Sequence, residues 1–327
     1  MPNTTILYLL YPTGASYRRE QPIRALHKSA ARLPGPKTFV SIDNSVPSTV
    51  VQQVGENEFA IGGDNTYLEF SGWQRGLDFA RERGLLGDAC LFANDQFLHQ
   101  SLFHRRLVNS AALECALRYD AMVGQRMIPP VTGQILGNPI IPYVRTHLFL
   151  VSSRVLDKLS SLLSLDQRAI HQLFLDGYDP AVPLFRSDAP ISKSIRDLIT
   201  SHLHSSWYRK KPYTAEHFDA LRAKAISILN AFLLSVRVHQ MGYPLLPYSR
   251  AGSYARATAD FDAALCDAVW CGNYAWEGVT PETGRAATNR FWDQGSPFYR
   301  QVPEKMRGLT FENLLDFLER RSHPEHL

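Results

Sequence analysis

Three short stretches of the sequence contain amide and carboxylate side chains that can bind a polar ligand. They are "IDNS" (42–45), "GGDN" (62–65) and "FAND" (92–95). An ionised carboxylate only accepts hydrogen bonds, so it suits ribose hydroxyls and base N–H groups, and it can also hold a divalent cation. A local alternative exists for two of them. Asp43 can close an Asx-turn after its strand, and Asp95 can cap the helix that follows it.

The elements around these stretches predict a sheet that would bring them together. Strand-like runs occupy residues 5–11, 37–43, 59–63 and 89–95, and helical runs occupy 17–33 and 68–84. The strands are continuously apolar, which is typical of a mostly parallel sheet covered by helices on both faces. Such sheets bind ligands beyond the carboxyl ends of their strands. We therefore expect Tyr11 and the three polar stretches to meet at one edge of the sheet.

The second part of the chain predicts further strands and helices, with one long irregular segment. We predict a helix over 102–120, strands over 121–125 and 146–152, a helix over 153–164, and a helix from about 215 to 241 that ends at Gly242. The segment 166–214 is predicted to be irregular and to carry a lid or binding loop. Within it, His202 and His204 lack a third ligand nearby and indicate a polar loop rather than a metal site.

The composition excludes several classes of protein. Hydrophobic residues make up 45% and charged residues 20% of the 327 residues, which is typical of a globular protein. The net charge of +4 is dispersed, so we expect no nucleic-acid partner. The four cysteines show no CxxC pattern and indicate a reducing compartment. Since we find neither a signal peptide nor a run of roughly 18 apolar residues, we expect a cytoplasmic protein, with peripheral contact at the inner membrane face left open.

Five stretches in a fixed order carry a resemblance to a known family. They are "VSIDNS", "GGDNTYLEFSGWQRGL", "ACLFAND", "THLFLVSSRVL" and "VRVHQMGY". In this order they resemble family-two-type glycosyltransferases of the GT-A fold, and among these the bacterial polysaccharide- and rhamnan-synthesis transferases. The resemblance covers about residues 4 to 248. It implies a GT-A-like (Rossmann-like), mostly parallel central sheet flanked by helices, and a nucleotide-sugar donor.

The resemblance also implies a donor site. With the strand-end Tyr11, its residues are Tyr11, Asp43, Asn44, Asn65, Gln74, Arg75, Asn94 and Asp95. Asp95 stands where the family has its acidic motif, and it would hold a divalent metal, Mn²⁺ or Mg²⁺, against the diphosphate of the donor. Because only one carboxylate is present in this motif, we expect the metal to bind weakly.

The general base that the family uses is missing from this sequence. The family's Glu-Asp pair falls on Asn230 and Ala231, and neither side chain can take a proton. Possible substitutes are His147, in a strand that should border the acceptor, and Asp188 in the irregular segment. A lone histidine in an apolar strand is more often a core residue, and Arg145 beside it could instead neutralise a phosphate.

We expect the protein to move a sugar from a nucleotide-sugar donor to a saccharide or lipid-linked saccharide acceptor in surface-polysaccharide biosynthesis. Residues 1–250 would form the GT-A-like domain, with a donor half (1–100) and an acceptor half (101–250), and 251–327 a helical C-terminal extension packed on it. One alternative is a catalytically silent saccharide-binding or scaffolding protein. Another is a sugar nucleotidyltransferase, although "YPTGASYRRE" (11–20) matches its Gly-rich loop poorly.

Overall fold

The computed structural model describes residues 1–11, 20–95, 97, 106–182, 184–205, 213–248 and 251. The strands are β1 (Thr4–Leu10), β2 (Lys37–Asp43), β3 (Val51–Gly55), β4 (Glu58–Gly62), β5 (Ala89–Asn94), β6 (Met122–Met127), β7 (Gln134–Ile135), β8 (Asn138–Pro139), β9 (Tyr143–Ser152) and β10 (Leu245–Pro247). The helices are α1 (Glu20–Ala30), α2 (Glu69–Glu82), α3 (Ser110–Arg118), α4 (Ser153–Leu159), α5 (Gln167–Leu173), α6 (Lys193–Ser205) and α7 (Phe218–Gln240), and a 3₁₀ turn (Ala215–His217) precedes α7.

The described strands form one large sheet and a small hairpin. The order in the large sheet is β10-β6-β9-β5-β1-β2-β4-β3, and the hairpin pairs β7 with β8. Strand β1 is parallel to β2 and β5, β2 is parallel to β4, and β10 is parallel to β6. Strand β9 runs antiparallel between β5 and β6, and β3 is an antiparallel edge strand beside β4. The predicted architecture, a mostly parallel sheet flanked by helices, is confirmed for the described residues.

Both faces of the sheet are covered, which explains its continuously apolar strands. All seven residues of β1 are buried. One core packs α1 and α3 against one face, and a second packs α2, α4 and the end of α7 against the other. A third core joins α5, α6 and the first half of α7. Helix α7 therefore connects the sheet to the α5–α6 region.

The direction of the strands decides which residues meet at the functional edge. The carboxyl ends of β1, β2, β4 and β5 lie at one edge of the sheet because these strands are parallel. Strand β9 is antiparallel, so its first residues lie at that same edge. Ala93 pairs with Leu148, and one residue further toward the edge lie Asn94 and His147.

The segment 166–214 differs from the prediction, because its described part contains two helices. Helix α5 begins after Asp166, whose carboxylate accepts a hydrogen bond from the Ala169 N–H at 2.7 Å. Helix α6 turns Ile195, Ile199 and Leu203 into the third core, each at most 2% exposed. The spacing of these three residues by four is a helical pattern, and the Pro- and Gly-rich stretch before it obscured it.

Other predictions stand as follows. The end of α7 is confirmed, since Gly242 has a φ of +84° and its N–H donates to the His239 carbonyl at 2.9 Å. The edge strand β3 was missed, because its residues are largely exposed and lack an apolar run.

The predicted C-terminal extension lies outside the described residues apart from Ala251, whose carbonyl accepts a hydrogen bond from the Cys115 thiol at 3.2 Å. Among the described helices, none combines the length and apolarity needed to cross a membrane.

Candidate active site

Three of the predicted donor residues are brought together at the carboxyl edge of the sheet. The Asn44 side chain, after β2, donates a hydrogen bond to the Asn65 side-chain oxygen at 3.3 Å. Asn65, after β4, donates to the Tyr11 hydroxyl, after β1, at 3.4 Å. We call Tyr11, Asn44 and Asn65 the strand-end cluster. It joins three parallel strands at the edge where such sheets bind ligands.

Two glycines make room for Asn44. Its amide group also donates to the Leu68 carbonyl at 3.2 Å, which holds it against the start of α2. A Cβ on Gly63 would lie 2.0 Å from the Asn44 Oδ1, and one on Gly72 would lie 2.7 Å from it. Both distances are too short for a carbon, so glycine is required at these positions if Asn44 is to keep its place. The position of Asn44 is therefore built into the packing between β2 and α2.

Asp43 forms the Asx-turn that was one of its two predicted roles. Its Oδ1 accepts hydrogen bonds from the Ser45 N–H at 2.9 Å and from the Ser45 hydroxyl at 2.6 Å. This is an Asx-turn that closes β2, and the residue is 6% exposed. The turn fixes the backbone just before Asn44. Contact between Asp43 and a nucleotide stays a prediction.

Gln74 and Arg75 bond to other parts of the chain. The Gln74 Oε1 accepts hydrogen bonds from the Leu162 N–H at 2.6 Å and the Ser161 hydroxyl at 3.2 Å, and its Nε2 donates to Asp78 at 2.8 Å. These bonds give Gln74 a structural role, because they tie α2 to the loop after α4. Arg75 donates to the Ser48 carbonyl at 3.3 Å, in the loop after β2. Their contact with a donor stays a prediction.

A cavity of about 360 Å³ lies beside the end of β5. Asn94 and His147 line it from the edge of the sheet, and the other walls come from the start of α2, from α6 and from α7. Its size is within the range of small-molecule sites, roughly 300–1,000 Å³. Of the predicted residues, Asn94 and His147 therefore share one cavity. Asp95 follows Asn94 directly and is partly exposed.

The cavity also contains an ion pair that the sequence analysis missed. Lys224 Nζ on α7 lies 3.4 Å from Glu69 Oε1 at the start of α2, and the side chains are 12% and 14% exposed. Lys224 shares one face of α7 with Ser227, Ile228 and Ala231, all of which line the cavity. This i, i+3, i+4, i+7 spacing is visible in the sequence. The sequence does not show that Glu69 on α2 is the partner of Lys224, because the two residues are 155 positions apart.

The two residues at the family's Glu-Asp positions have different surroundings. Ala231 lines the cavity. Asn230 is fully buried, and its Oδ1 accepts hydrogen bonds from the Ser164 N–H at 2.7 Å and the Leu165 N–H at 3.2 Å. Its Nδ2 donates to the Ile226 carbonyl at 3.1 Å. Asn230 therefore supports the loop before α5, and only the Ala231 position faces a ligand space.

Burial and two cations shift the pKa values of two side chains that line the cavity. Burial, and then the charges of Lys224 and Arg145, lower the pKa of His202, which favours the neutral ring. Burial raises the pKa of Tyr143, and the charge of Arg145 opposes this shift. The prediction that His202 lies in a polar loop is wrong, because it lies on α6 and lines the cavity.

The two predicted base candidates lie in different places. His147 is 5% exposed and lines the cavity beside Asn94. Asp188 has a side chain that is 73% exposed, lies 3.2 Å from the Arg186 Nε, and does not line the cavity. The geometry therefore leaves His147 next to the candidate site and puts Asp188 on the surface of the α5–α6 region.

The described residues contain no group of three or more His, Cys, Asp or Glu side chains that could hold a metal ion. Among the described residues, Asn94 is the neighbour that could complete the shell of a Mn²⁺ or Mg²⁺ ion at Asp95, together with water or oxygens of a bound ligand. Mg²⁺ is commonly held in this way, by one or two carboxylates plus substrate phosphates. The residues present fit a metal that arrives with a diphosphate.

Comparison with known proteins gave one structural similarity. No protein-family model matches the chain, and no curated protein sequence matches it. A mannosyltransferase from Pyrobaculum calidifontis, solved in complex with GDP-Man and Mn²⁺, is similar to it with 13% sequence identity and a TM-score of 0.31. The similarity covers 98% of this chain and 87% of that one. A TM-score of this size does not define a shared fold, so the fold assignment rests on the strand order.

Proposed function

We propose that the protein is a glycosyltransferase that moves a sugar from a nucleotide-sugar donor to a saccharide or lipid-linked saccharide acceptor. The observation that carries the proposal is the arrangement at the carboxyl edge of the sheet. The strand-end cluster follows β1, β2 and β4, and the cavity begins at Asn94, at the end of the next strand. Two adjoining sites, a polar cluster and a cavity, suit a reaction between two substrates.

Each site has a role in this proposal. Tyr11 and Asn65 offer a hydroxyl and an amide group to the nucleoside part of the donor, and Asn44 holds Asn65 in place. Asn94 and Asp95 face the diphosphate, and Asp95 would be the protein ligand of Mn²⁺ or Mg²⁺. When bound, the metal supplies charge neutralisation of the departing nucleoside diphosphate. The acceptor occupies the cavity, so its hydroxyl lies near the point where donor and acceptor meet.

His147 is the residue we assign as general base. In the transfer, the bond between the anomeric carbon and the diphosphate breaks, the acceptor oxygen bonds to that carbon, and the hydroxyl loses its proton. His147 lines the cavity beside Asn94, and a ring nitrogen of a neutral imidazole can take that proton. Glu69 is the alternative carboxylate in the cavity, but one of its oxygens is already engaged in the ion pair with Lys224.

Activity over a range of pH separates these two assignments. We expect His147→Gln to lower kcat at least tenfold and to remove the acidic limb of the pH profile of kcat. We expect Glu69→Gln to leave that limb in place. The opposite result, with the limb lost only in Glu69→Gln, would assign the base to Glu69.

Metal-dependent nucleotide binding tests the donor site directly. Calorimetry with nucleoside diphosphates, with and without Mn²⁺ or Mg²⁺, should detect binding by the wild type that Asp95→Ala weakens at least tenfold. Asp197→Ala is the matched control, because this exposed carboxylate lies on α6 and forms its ion pair with Lys193. Nucleotide binding by neither protein, or identical metal-dependent binding by wild type and Asp95→Ala, would contradict the proposed site.

A catalytically silent binding protein is the second candidate, and one observation favours it. Asn230 is fully engaged with backbone groups and Ala231 has no proton-accepting group. Nucleotide binding without any release of sugar from any nucleotide sugar, with or without an acceptor, would select this candidate. The polysaccharide pathway, the hexosyl or deoxyhexosyl type, the cytoplasmic location and the peripheral membrane contact stay predictions from the sequence.

A further inference from the structure

One side chain in the cavity wall has an unmet hydrogen-bonding group. Ser227 on α7 lines the cavity and is 1% exposed, and its hydroxyl has no hydrogen-bond partner among the described residues. Buried polar groups in proteins are nearly always hydrogen-bonded, and it is costly to leave one unmet. A molecule bound in the cavity can meet a group in its wall. Ser227 therefore indicates a ligand with a hydrogen-bonding group at this point.

The charged side chains of the wall are already engaged. Lys224 Nζ lies 3.4 Å from Glu69 Oε1, so these two opposite charges offset each other. Arg145 also has an interaction of its own. A ligand with a net charge would have to compete with these contacts for a partner, and a buried charge without a partner is costly. The Ser227 hydroxyl both donates and accepts, as does the hydroxyl of a neutral ligand. The wall therefore suits an uncharged ligand that carries hydroxyl groups.

Much of the remaining wall is apolar. It includes Leu198 and Ile199 of α6 and Ile228 and Phe232 of α7. Ile228 directly follows Ser227, and Phe232 lies about one helical turn further along α7. A ligand surface made only of hydroxyl groups would lose water against these side chains without replacing its hydrogen bonds. The wall therefore suits a ligand in which an apolar portion adjoins the hydroxyl that meets Ser227.

We propose that the cavity binds an uncharged saccharide that carries an apolar portion, with one saccharide hydroxyl bonded to Ser227. This inference rests on the proposed function and narrows its acceptor class, because it puts no phosphate or carboxylate of the acceptor in the cavity. The side chains of α6 and α7 cover the apolar portion, which is either an alkyl group on the anomeric oxygen or an apolar substituent of the ring. Ser227 selects for a hydroxyl at one position, since a ligand without it leaves the buried serine unmet.

Binding of small probes to the full chain, without nucleotide, tests the proposal. Calorimetry compares octyl and methyl hexosides of the gluco, galacto and manno configurations with the matching methyl 6-deoxyhexosides, octyl phosphate and octanoate. Every octyl probe is kept below its micelle-forming concentration. We expect octyl phosphate and octanoate to bind at least tenfold more weakly than the best uncharged probe.

The same panel distinguishes the two sources of the apolar portion. An octyl hexoside that binds at least tenfold more tightly than its methyl hexoside assigns this portion to the alkyl group. A methyl 6-deoxyhexoside that binds at least threefold more tightly than its methyl hexoside assigns it to the ring. If neither preference is seen, or if either acid binds as tightly as the best uncharged probe, the proposal is wrong.

Substitutions localise the binding to this cavity. Ser227→Ala should weaken the best probe about threefold to tenfold. Ile228→Ala should reduce the advantage of that probe over its methyl hexoside at least threefold, because it removes part of the apolar wall. Ser201→Ala is the matched control, because this exposed serine on α6 does not line the cavity. Binding equal to wild type in both cavity variants would overturn the proposal.

The stability of the free protein gives a second readout for Ser227. An unmet hydroxyl does not stabilise the fold, and alanine is the better helix former, so Ser227→Ala should leave the free energy of unfolding in urea unchanged or raised. The same variant should bind the best probe more weakly. A loss of stability that Ser201→Ala does not show would mean that the Ser227 hydroxyl is bonded within the free protein, and it would overturn the proposal.

The outcome is separable from that of the proposed function. None of the probes contains a nucleotide, so failure of the metal-dependent nucleotide binding would remove the glycosyltransferase assignment and leave a saccharide-binding cavity. Conversely, nucleotide binding that depends on Asp95, together with no preference for the uncharged probes, would keep the donor site and discard this acceptor class.

Discussion

Replacement of Gly72 by alanine tests whether Asn44 is seated as described. In an ordinary helix this change stabilises a protein by up to about 1 kcal/mol, because glycine is a poor helix former. Here the added Cβ would lie 2.5 Å from the Leu9 Cδ1 and 2.7 Å from the Asn44 Oδ1. Overpacking of this kind costs roughly 1–3 kcal/mol. The cost exceeds the gain in helix propensity, so we expect a net loss of about 1 kcal/mol.

Urea denaturation of matched variants measures this loss. Gly177→Ala is the control, because a Cβ there has nothing within 4 Å and its φ is not positive. The clash with Asn44 predicts coupling, so Gly72→Ala should cost less in an Asn44→Ala background than in the wild type. A second readout is nucleotide binding, which Gly72→Ala should weaken more than Gly177→Ala because it displaces a member of the strand-end cluster.

Either of two results would refute the predicted clash between an alanine at position 72 and Asn44. One is a Gly72→Ala protein that is more stable than the wild type, as in an ordinary helix. The other is a double-mutant cycle without coupling between positions 72 and 44. In both cases Asn44 would not fill the space beside Gly72, and the packing argument for its position in the donor site would be lost.

Three further predictions concern buried groups. Asn230→Ala should lower the free energy of unfolding by about 2–4 kcal/mol in urea, because two N–H groups lose their acceptor, and a loss below 0.5 kcal/mol would refute this. Burial, and then Arg126, lower the pKa of His239 from 6.5 to about 4. As pH falls, His239 therefore binds a proton in the unfolded chain before it does so in the folded one, and the free energy of unfolding should fall by about 3 kcal/mol between pH 6.5 and pH 4. His239→Gln should lack this part of the loss of stability in acid. Burial raises the pKa of the Cys90 thiol to about 12, so iodoacetamide should modify Cys90 only after unfolding. Modification of Cys90 in the native protein, located by peptide mass spectrometry, would contradict this.

The sheet was predictable because its strands are buried on both faces. Strand β2 has the predicted bounds, and β1, β4, β5 and β9 differ from theirs by a few residues at most. Their apolar runs are continuous, so the type of each element can be read without tertiary information. Strand β3 shows the limit of this approach, since an exposed edge strand has no such run.

The strand-end cluster was predictable for a similar reason. Residues that follow parallel strands must meet at one edge, so Tyr11, Asn44 and Asn65 could be grouped from the sequence. The sequence does not show which atoms of these residues form hydrogen bonds. Asp43 and Gln74 have the residue types of ligand-binding groups, but their recorded hydrogen bonds go to a local turn and to a distant loop.

The cavity was the least predictable part of the site. Its charged pair joins Glu69 and Lys224, which lie on helices far apart in the sequence, and no local pattern links them. The sequence predicts that the residues of α6 are irregular, so it does not indicate that His202 lies in the cavity wall. One of the two positions to which the resemblance assigns the Glu-Asp pair, Ala231, lines the cavity. The resemblance could not show that the neighbouring Asn230 supports a loop instead.

Cleavage of a nucleotide sugar is the most direct test of the central claim. Release of nucleoside diphosphate from a panel of UDP-, GDP- and dTDP-sugars can be followed with Mn²⁺ or Mg²⁺ present, for the wild type and for Asp95→Ala and Asp197→Ala. The account predicts metal-dependent release from at least one donor, reduced at least tenfold in Asp95→Ala and unchanged in Asp197→Ala. Folded wild-type protein that neither binds nor cleaves any donor, or release that is equal in all three proteins, would contradict it.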